Sequence, residues 1–96
     1  MSSSKWQTLP DVDEDVVFNA LPDGAVLLST REEVYFGLNR TGARIWELLA
    51  ETSTLDELCA RLGEDFPDAP EEGLREDVVE LLDRLASEGL IRVPER

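Results

Sequence analysis

The sequence predicts an α+β domain in which a three-stranded antiparallel sheet is followed by three helices, a winged helix-turn-helix-like arrangement. Three observations lead there. Runs rich in β-branched and aromatic residues lie between Val16 and Leu38, divided by turn-forming segments. From Asn39 onward apolar residues recur at three- and four-residue steps, the period of a helix. Apolar residues make up 42% of a 96-residue chain and are spread along it, enough for one modest core and not for two.

Residues 1–14 are polar and acidic, contain Pro10 and show no sustained period, which predicts a flexible N-terminal arm. Trp6 lies in that arm, and no pattern places it. The domain is expected over residues 15–93, with 94–96 as a C-terminal tail. Val16, Val17 and Phe18 begin a first strand ending near Leu21. Pro22-Asp23-Gly24 turns the chain, Pro presetting φ and Gly accepting a positive one. Ala25 to Ser29 makes a second strand, and the polar run Ser29 to Glu32 makes a second turn. The third strand, Glu33 to Leu38, alternates: Val34, Phe36 and Leu38 on one face, Glu33, Tyr35 and Gly37 on the other.

Asn39 or Thr41 can cap a first helix running to about Ala50, with Ile45, Leu48 and Leu49 as its buried stripe and Trp46 as a core anchor. Thr54-Leu55-Asp56-Glu57 has the spacing of a capping box and opens a second helix. Leu55, Leu58, Cys59, Leu62 and Phe66 share one face of it, which makes Cys59 a small buried hydrophobe. Pro67 and Pro70 break that helix. A third begins near Pro70 or Glu71, with acids in its first turn, and stops at Gly89. Leu90 to Val93 returns as a short extended segment. Gly37 and Gly42 have backbone roles, close approach and the strand-to-helix bend.

Composition excludes several functions. The chain has 22 acidic and 9 basic residues, a net charge of −13. That field opposes nucleic acid and anionic membrane surfaces and favours basic or neutral partners. The chain has no histidine and one cysteine, so it builds neither a Cys–His or Ser–His–Asp nucleophile nor a Cys/His zinc site. No catalytic residue, metal site or cofactor is expected. The lone Cys59, the absence of an apolar run of membrane length and the polar start predict a cytoplasmic protein.

A binding surface is the remaining possibility. At about 100° per residue, Leu74, Val78, Leu81 and Leu85 of the third helix form the core stripe. Leu82 lies at its shoulder, Val79 and Ala86 lie further round, and Asp77, Arg84 and Glu88 make the opposite side polar. This widened apolar flank either wedges between two elements or lines an open groove. The third strand of a meander is a sheet edge, where unpaired backbone groups can accept an extended peptide. Val34 and Phe36 suit core packing as well as contact, and Glu33 alone adds charge to that edge. The acidic clusters at 11–15 and 71–77 read as solvated faces.

The order Gly24-Ala25-Val26-Leu27-Leu28, Tyr35-Phe36-Gly37-Leu38-Asn39, Thr41-Gly42-Ala43, Ile45-Trp46 and Asp77-Val78-Val79…Leu82…Leu85…Gly89-Leu90-Ile91 resembles the PqqD family. These small proteins hold the leaders of ribosomally made, post-translationally modified peptides (RiPPs). The resemblance covers about Val16 to Val93. It implies that a precursor leader adds as a strand antiparallel to the third strand, in the cleft against the third helix. It picks Val34, Tyr35 and Phe36 on the strand and Arg75, Val78, Val79, Leu82 and Asp83 on the helix. With Glu33 and Ala86 from the residue reading, these make the candidate peptide-binding set. The wording Tyr-Phe-Gly-Leu-Asn-x-Thr-Gly-Ala-x-Ile-Trp is more similar to the free-standing recognition proteins of lasso-peptide biosynthesis. There a separate transglutaminase-like cysteine protease removes the leader, so the implied partners are a leader peptide and that protease.

Three alternatives stay open. One is a PqqD-type peptide chaperone of another RiPP pathway. Another is an interaction or dimerisation module without peptide cargo, using the open strand for itself. The third is a winged-helix DNA-binding regulator. Its third helix would carry Glu71, Glu72, Glu76, Asp77, Glu80 and Asp83 against Arg75 and Arg84 into a phosphate-lined groove. On this flank reading Leu82→Glu and Val79→Glu are expected to weaken peptide binding and leave the fold intact.

Overall fold

The β-branched, aromatic and apolar runs between Val16 and Asn39 form three strands in the computed structural model of the chain, which describes residues 6–10, 12 and 14–92. They are β1 (Val16–Leu21), β2 (Gly24–Ser29) and β3 (Val34–Asn39), followed by α1 (Arg40–Leu49), α2 (Leu55–Asp65) and α3 (Glu71–Ser87). The sheet order is β1-β2-β3, and both pairings are antiparallel. The α+β class expected from the sequence is the one observed. Ala25, Leu27, Phe36 and Leu38 point inward to a core completed by Ile45, Trp46 and Leu48 of α1, Leu58 and Leu62 of α2, and Val78, Leu82 and Leu85 of α3. Among the described residues no helix is long and apolar enough to cross a membrane.

Local chemistry sets the boundaries. β3 begins at Val34, because Glu33 sits in the left-handed region (φ 57°) and belongs to the turn. That turn is held at Ser29, whose carbonyl accepts from the Glu33 N–H at 2.8 Å and whose hydroxyl accepts from the Glu32 N–H at 3.1 Å. Asn39, rather than Thr41, caps α1: its side-chain oxygen accepts from the Gly42 N–H at 2.8 Å. Thr54 caps α2 by accepting from the Glu57 N–H at 3.1 Å. The reciprocal half of the capping box is displaced by one residue, since Glu57 accepts from the Ser53 N–H at 2.9 Å. Gly89, at φ 81°, ends α3 as predicted.

Two glycines act differently from expectation. Gly24 does not supply a positive φ; it is the first residue of β2, and a Cβ there would overlap the carbonyl oxygen of Leu38. Gly37, expected at a close approach, faces open space.

The start of the chain also differs from the expected loose arm. Trp6, Leu9 and Pro10 are buried, Trp6 completely. The Trp6 indole N–H donates to the Asp83 carboxylate at 2.8 Å, across 77 residues of sequence. Leu9 N–H donates to the Ser53 carbonyl at 3.2 Å, and Leu55 N–H donates to the Gln7 carbonyl at 3.1 Å. Thr8 bridges Thr54, and Val12 bridges Ile91, the one bridge among the described residues of the expected final extended segment. The physical cause is the apolar area of an indole, which no solvated position would hide from water. Residues 1–5, 11 and 13, Val93 and the expected tail 94–96 lie outside the described residues.

Candidate functional site

β3 pairs with β2 on one side, and among the described residues no segment pairs on its other side. The isolated bridges of the N-terminal segment go to Thr54 and Ile91, so that segment lies elsewhere. An unpaired strand leaves a row of backbone N–H and C=O groups facing solvent.

Beside this edge runs a cleft of about 220 Å³ between β3, the start of α1 and α3. Its apolar lining is Phe36, Leu38, Ile45 and Leu81; its α3 rim carries Asp77, Glu80 and Arg84. The volume falls below the roughly 300 Å³ at which pockets begin to enclose small molecules. It suits protruding side chains of an extended chain. Phe36 is nearly buried and forms the floor, with the Arg84 guanidinium 5.2 Å from its ring centroid. Among the described residues Asp77, Glu80 and Arg84 form no ion pair.

The residues expected to bind peptide divide into groups. Val34, Tyr35 and Phe36 lie on the open strand, whereas Glu33 lies in the turn before it. Val34 and Phe36 face inward, and Tyr35, 75% exposed, projects from the outer sheet face. On α3, Val78 and Leu82 are fully buried core residues. The expected stripe assigned that place to Leu81 and put Leu82 at its shoulder; the helix is instead rotated so that Leu81 is half-buried in the cleft. Arg75 is hydrogen-bonded to Asp56 of α2, which, ahead of the smaller opposing effect of burial, raises its pKa. Val79 lies beside Gln7 and Thr8, Asp83 accepts from Trp6, and Ala86 lies near Arg31 and Ile91. The flank holding Val79 and Asp83 is therefore where the N-terminal segment packs, and the β3-facing flank is Asp77, Leu81 and Arg84. The helical wheel displays both flanks; which one turns toward β3 depends on how α3 crosses the sheet.

The outer face of the sheet is a second apolar feature. Register places Val17, Leu28 and Tyr35 in one row across the three strands, with Val26 and Leu21 on the same face. Val17 and Leu21 are each half exposed.

Residues 24–91 match the family of coenzyme PQQ synthesis protein D (PqqD). No curated protein matches the chain. Among solved structures, "TbiB1 in Complex with the TbiA(beta) Leader Peptide" has a similar chain, with a TM-score of 0.76 and 27% identity. The alignment covers 90% of this chain and 99% of that one. With the family match spanning far more than half its length, this chain belongs to the PqqD family.

Proposed function

We propose that this protein binds the leader segment of a ribosomally made precursor peptide and presents it to a separate processing enzyme. The observation that carries the reading is the open edge of β3 lying alongside a cleft with an apolar floor and a charged rim. The leader adds as an antiparallel strand to β3, so the backbone of Val34 to Phe36 supplies affinity and the cleft selects side chains. Phe36 and Leu81 take the leader's apolar anchor. Val78 and Leu82 set the position of α3 from within the core. Val79 and Asp83 act indirectly, through the N-terminal segment that α3 carries, and Ala86 through the end of α3 near Arg31. The similarity to a chain solved with a leader peptide supports this assignment.

The finer reading is a free-standing recognition protein of lasso-peptide biosynthesis, which hands the precursor to a transglutaminase-like cysteine protease. The Tyr35-Phe36-Gly37-Leu38-Asn39 wording supports it. So does the apolar row Val17–Leu28–Tyr35, a surface that a second protein could cover while the leader is held. The role is binding, not catalysis, and its setting is the cytoplasm.

Candidate leader peptides, titrated into the protein by fluorescence polarisation, test the reading. Saturable binding that shifts the backbone amides of Val34 to Leu38 in NMR spectra is the expected result. A strand-to-strand homodimer that leader peptide leaves undisturbed would replace it with self-association.

A further inference from the structure

We infer that the leader segment seated in the cleft carries a fixed charge polarity, with a basic residue ahead of its apolar anchor and an acidic residue behind it. The inference deepens the leader-binding reading and rests on it.

Direction comes first. Arg84 lies over Phe36, and Gly89 lies beside the Glu32 side chain, so α3 runs antiparallel to β3. A strand added antiparallel to β3 therefore runs parallel to α3. It passes Asp77 and Glu80 first, then Leu81, then Arg84.

Charge comes second. Glu80 and Arg84 stand four residues apart on one helix, the spacing at which an acid and a base ordinarily pair. They do not pair here; Arg84 instead leans across the cleft onto Phe36. Asp77 and Glu80 are exposed, border the same cleft, and form no ion pair among the described residues. The rim thus offers negative charge at the entry end and positive charge at the exit end, with an apolar floor between. An extended occupant with the opposite order neutralises both ends.

Spacing comes third. Asp77 and Arg84 are separated by about 10 Å along the helix axis at 1.5 Å per residue. Side chains on one face of a strand recur about every 7 Å. A basic residue at i, an apolar anchor at i+2 and an acid at i+4 then all face α3, side-chain reach absorbing the small mismatch.

The test uses labelled nonapeptides on the full chain, in two isomers of equal composition: Lys-x-Leu-x-Glu and Glu-x-Leu-x-Lys within one neutral frame. Equal net charge cancels the general attraction of an acidic protein for basic peptides. The first isomer is expected to bind about five- to tenfold tighter at low salt, with the gap narrowing at high salt. The charge-reversed variant Asp77→Lys, Glu80→Lys, Arg84→Glu is expected to prefer the second isomer. Equal affinities, or preference of the unaltered protein for the second isomer, would overturn the polarity while leaving strand addition standing. Failure of both isomers and of an authentic leader to shift Val34 to Leu38 amides would overturn the leader-binding reading itself.

Discussion

The guanidinium of Arg84 covers the ring of Phe36 at 5.2 Å, joining α3 to the open strand across the floor of the cleft. A cation over an aromatic face at an exposed site is worth about 0.5–1 kcal/mol. Arg84→Ala should therefore lower unfolding free energy by no more than about 1 kcal/mol in urea titrations. Leader affinity should fall more than stability does, because the substitution also removes the positive end of the rim.

Leu81 and Leu82 are neighbours in sequence with opposite duties. Leu82 is fully buried, so Leu82→Glu places an unpaired carboxylate in the core and should cost about 3 kcal/mol or more. Circular dichroism should report partial or complete unfolding. Leu81 is half-buried at the cleft, where a glutamate reaches water. Leu81→Glu should keep the far-ultraviolet spectrum and abolish leader binding in fluorescence polarisation. Equal loss of structure in both variants would contradict the orientation of α3 that buries Leu82 and turns Leu81 to the cleft.

The contrast shows what patterning can and cannot convey. β1 and β2 were legible as short β-branched, aromatic or apolar runs bounded by turn residues, β3 by its period-two alternation, and α2 because Thr54 and Glu57 have the spacing of a cap. The inward set of β3, the buried Trp46 and the buried Cys59 followed from the same periodicities. Choosing between Leu81 and Leu82 needed something a helical wheel lacks. Adjacent leucines differ by about 100°, and the wheel does not say which flank another element covers. That element is the segment around Trp6, whose contact with Asp83 spans 77 residues and leaves no local pattern. The Trp6 segment covers the flank of Val79 and Asp83, and the flank of Asp77, Leu81 and Arg84 faces β3.

Trp6 should behave as a core residue. Truncating a buried tryptophan to alanine typically costs about 3–5 kcal/mol, and Trp6→Ala is expected at the lower end because the segment can peel away without unmaking the sheet. A double-mutant cycle with Asp83→Ala should give a coupling of about 0.5–1.5 kcal/mol for the indole hydrogen bond. A Trp6→Ala protein as stable as the parent would mean that the segment contributes nothing to folding.

Gly24 predicts a steric failure that no charge or hydropathy argument supplies. Any Cβ there would collide with the Leu38 carbonyl oxygen, and that oxygen belongs to the neighbouring strand's backbone. Gly24→Ala should destabilise by about 1–3 kcal/mol or more, as overpacking does. Gly37→Ala, which meets open space, should be nearly neutral and serves as the control. Thermal unfolding of the two variants, run together, measures the difference.

Cys59 links pH to stability in a direction that can be worked out. Burial raises its thiol pKa above the ordinary 9.0, with Arg75 opposing and Asp56 and Glu71 adding to the rise. The unfolded thiol ionises first as pH climbs, so protons are held more tightly in the folded state and stability falls with rising pH. The contribution is complete below pH 9.0 and is lost through the interval up to the folded value. Urea midpoints of the parent and Cys59→Ala should therefore differ by a constant amount at neutral pH and converge above it. At pH 7 an aromatic disulfide reagent should label Cys59 slowly in the native protein and rapidly in denaturant, since the reactive thiolate is both scarce and enclosed. Rapid native labelling, or a stability difference that ignores pH, would show that the thiol is not enclosed between α2 and α3.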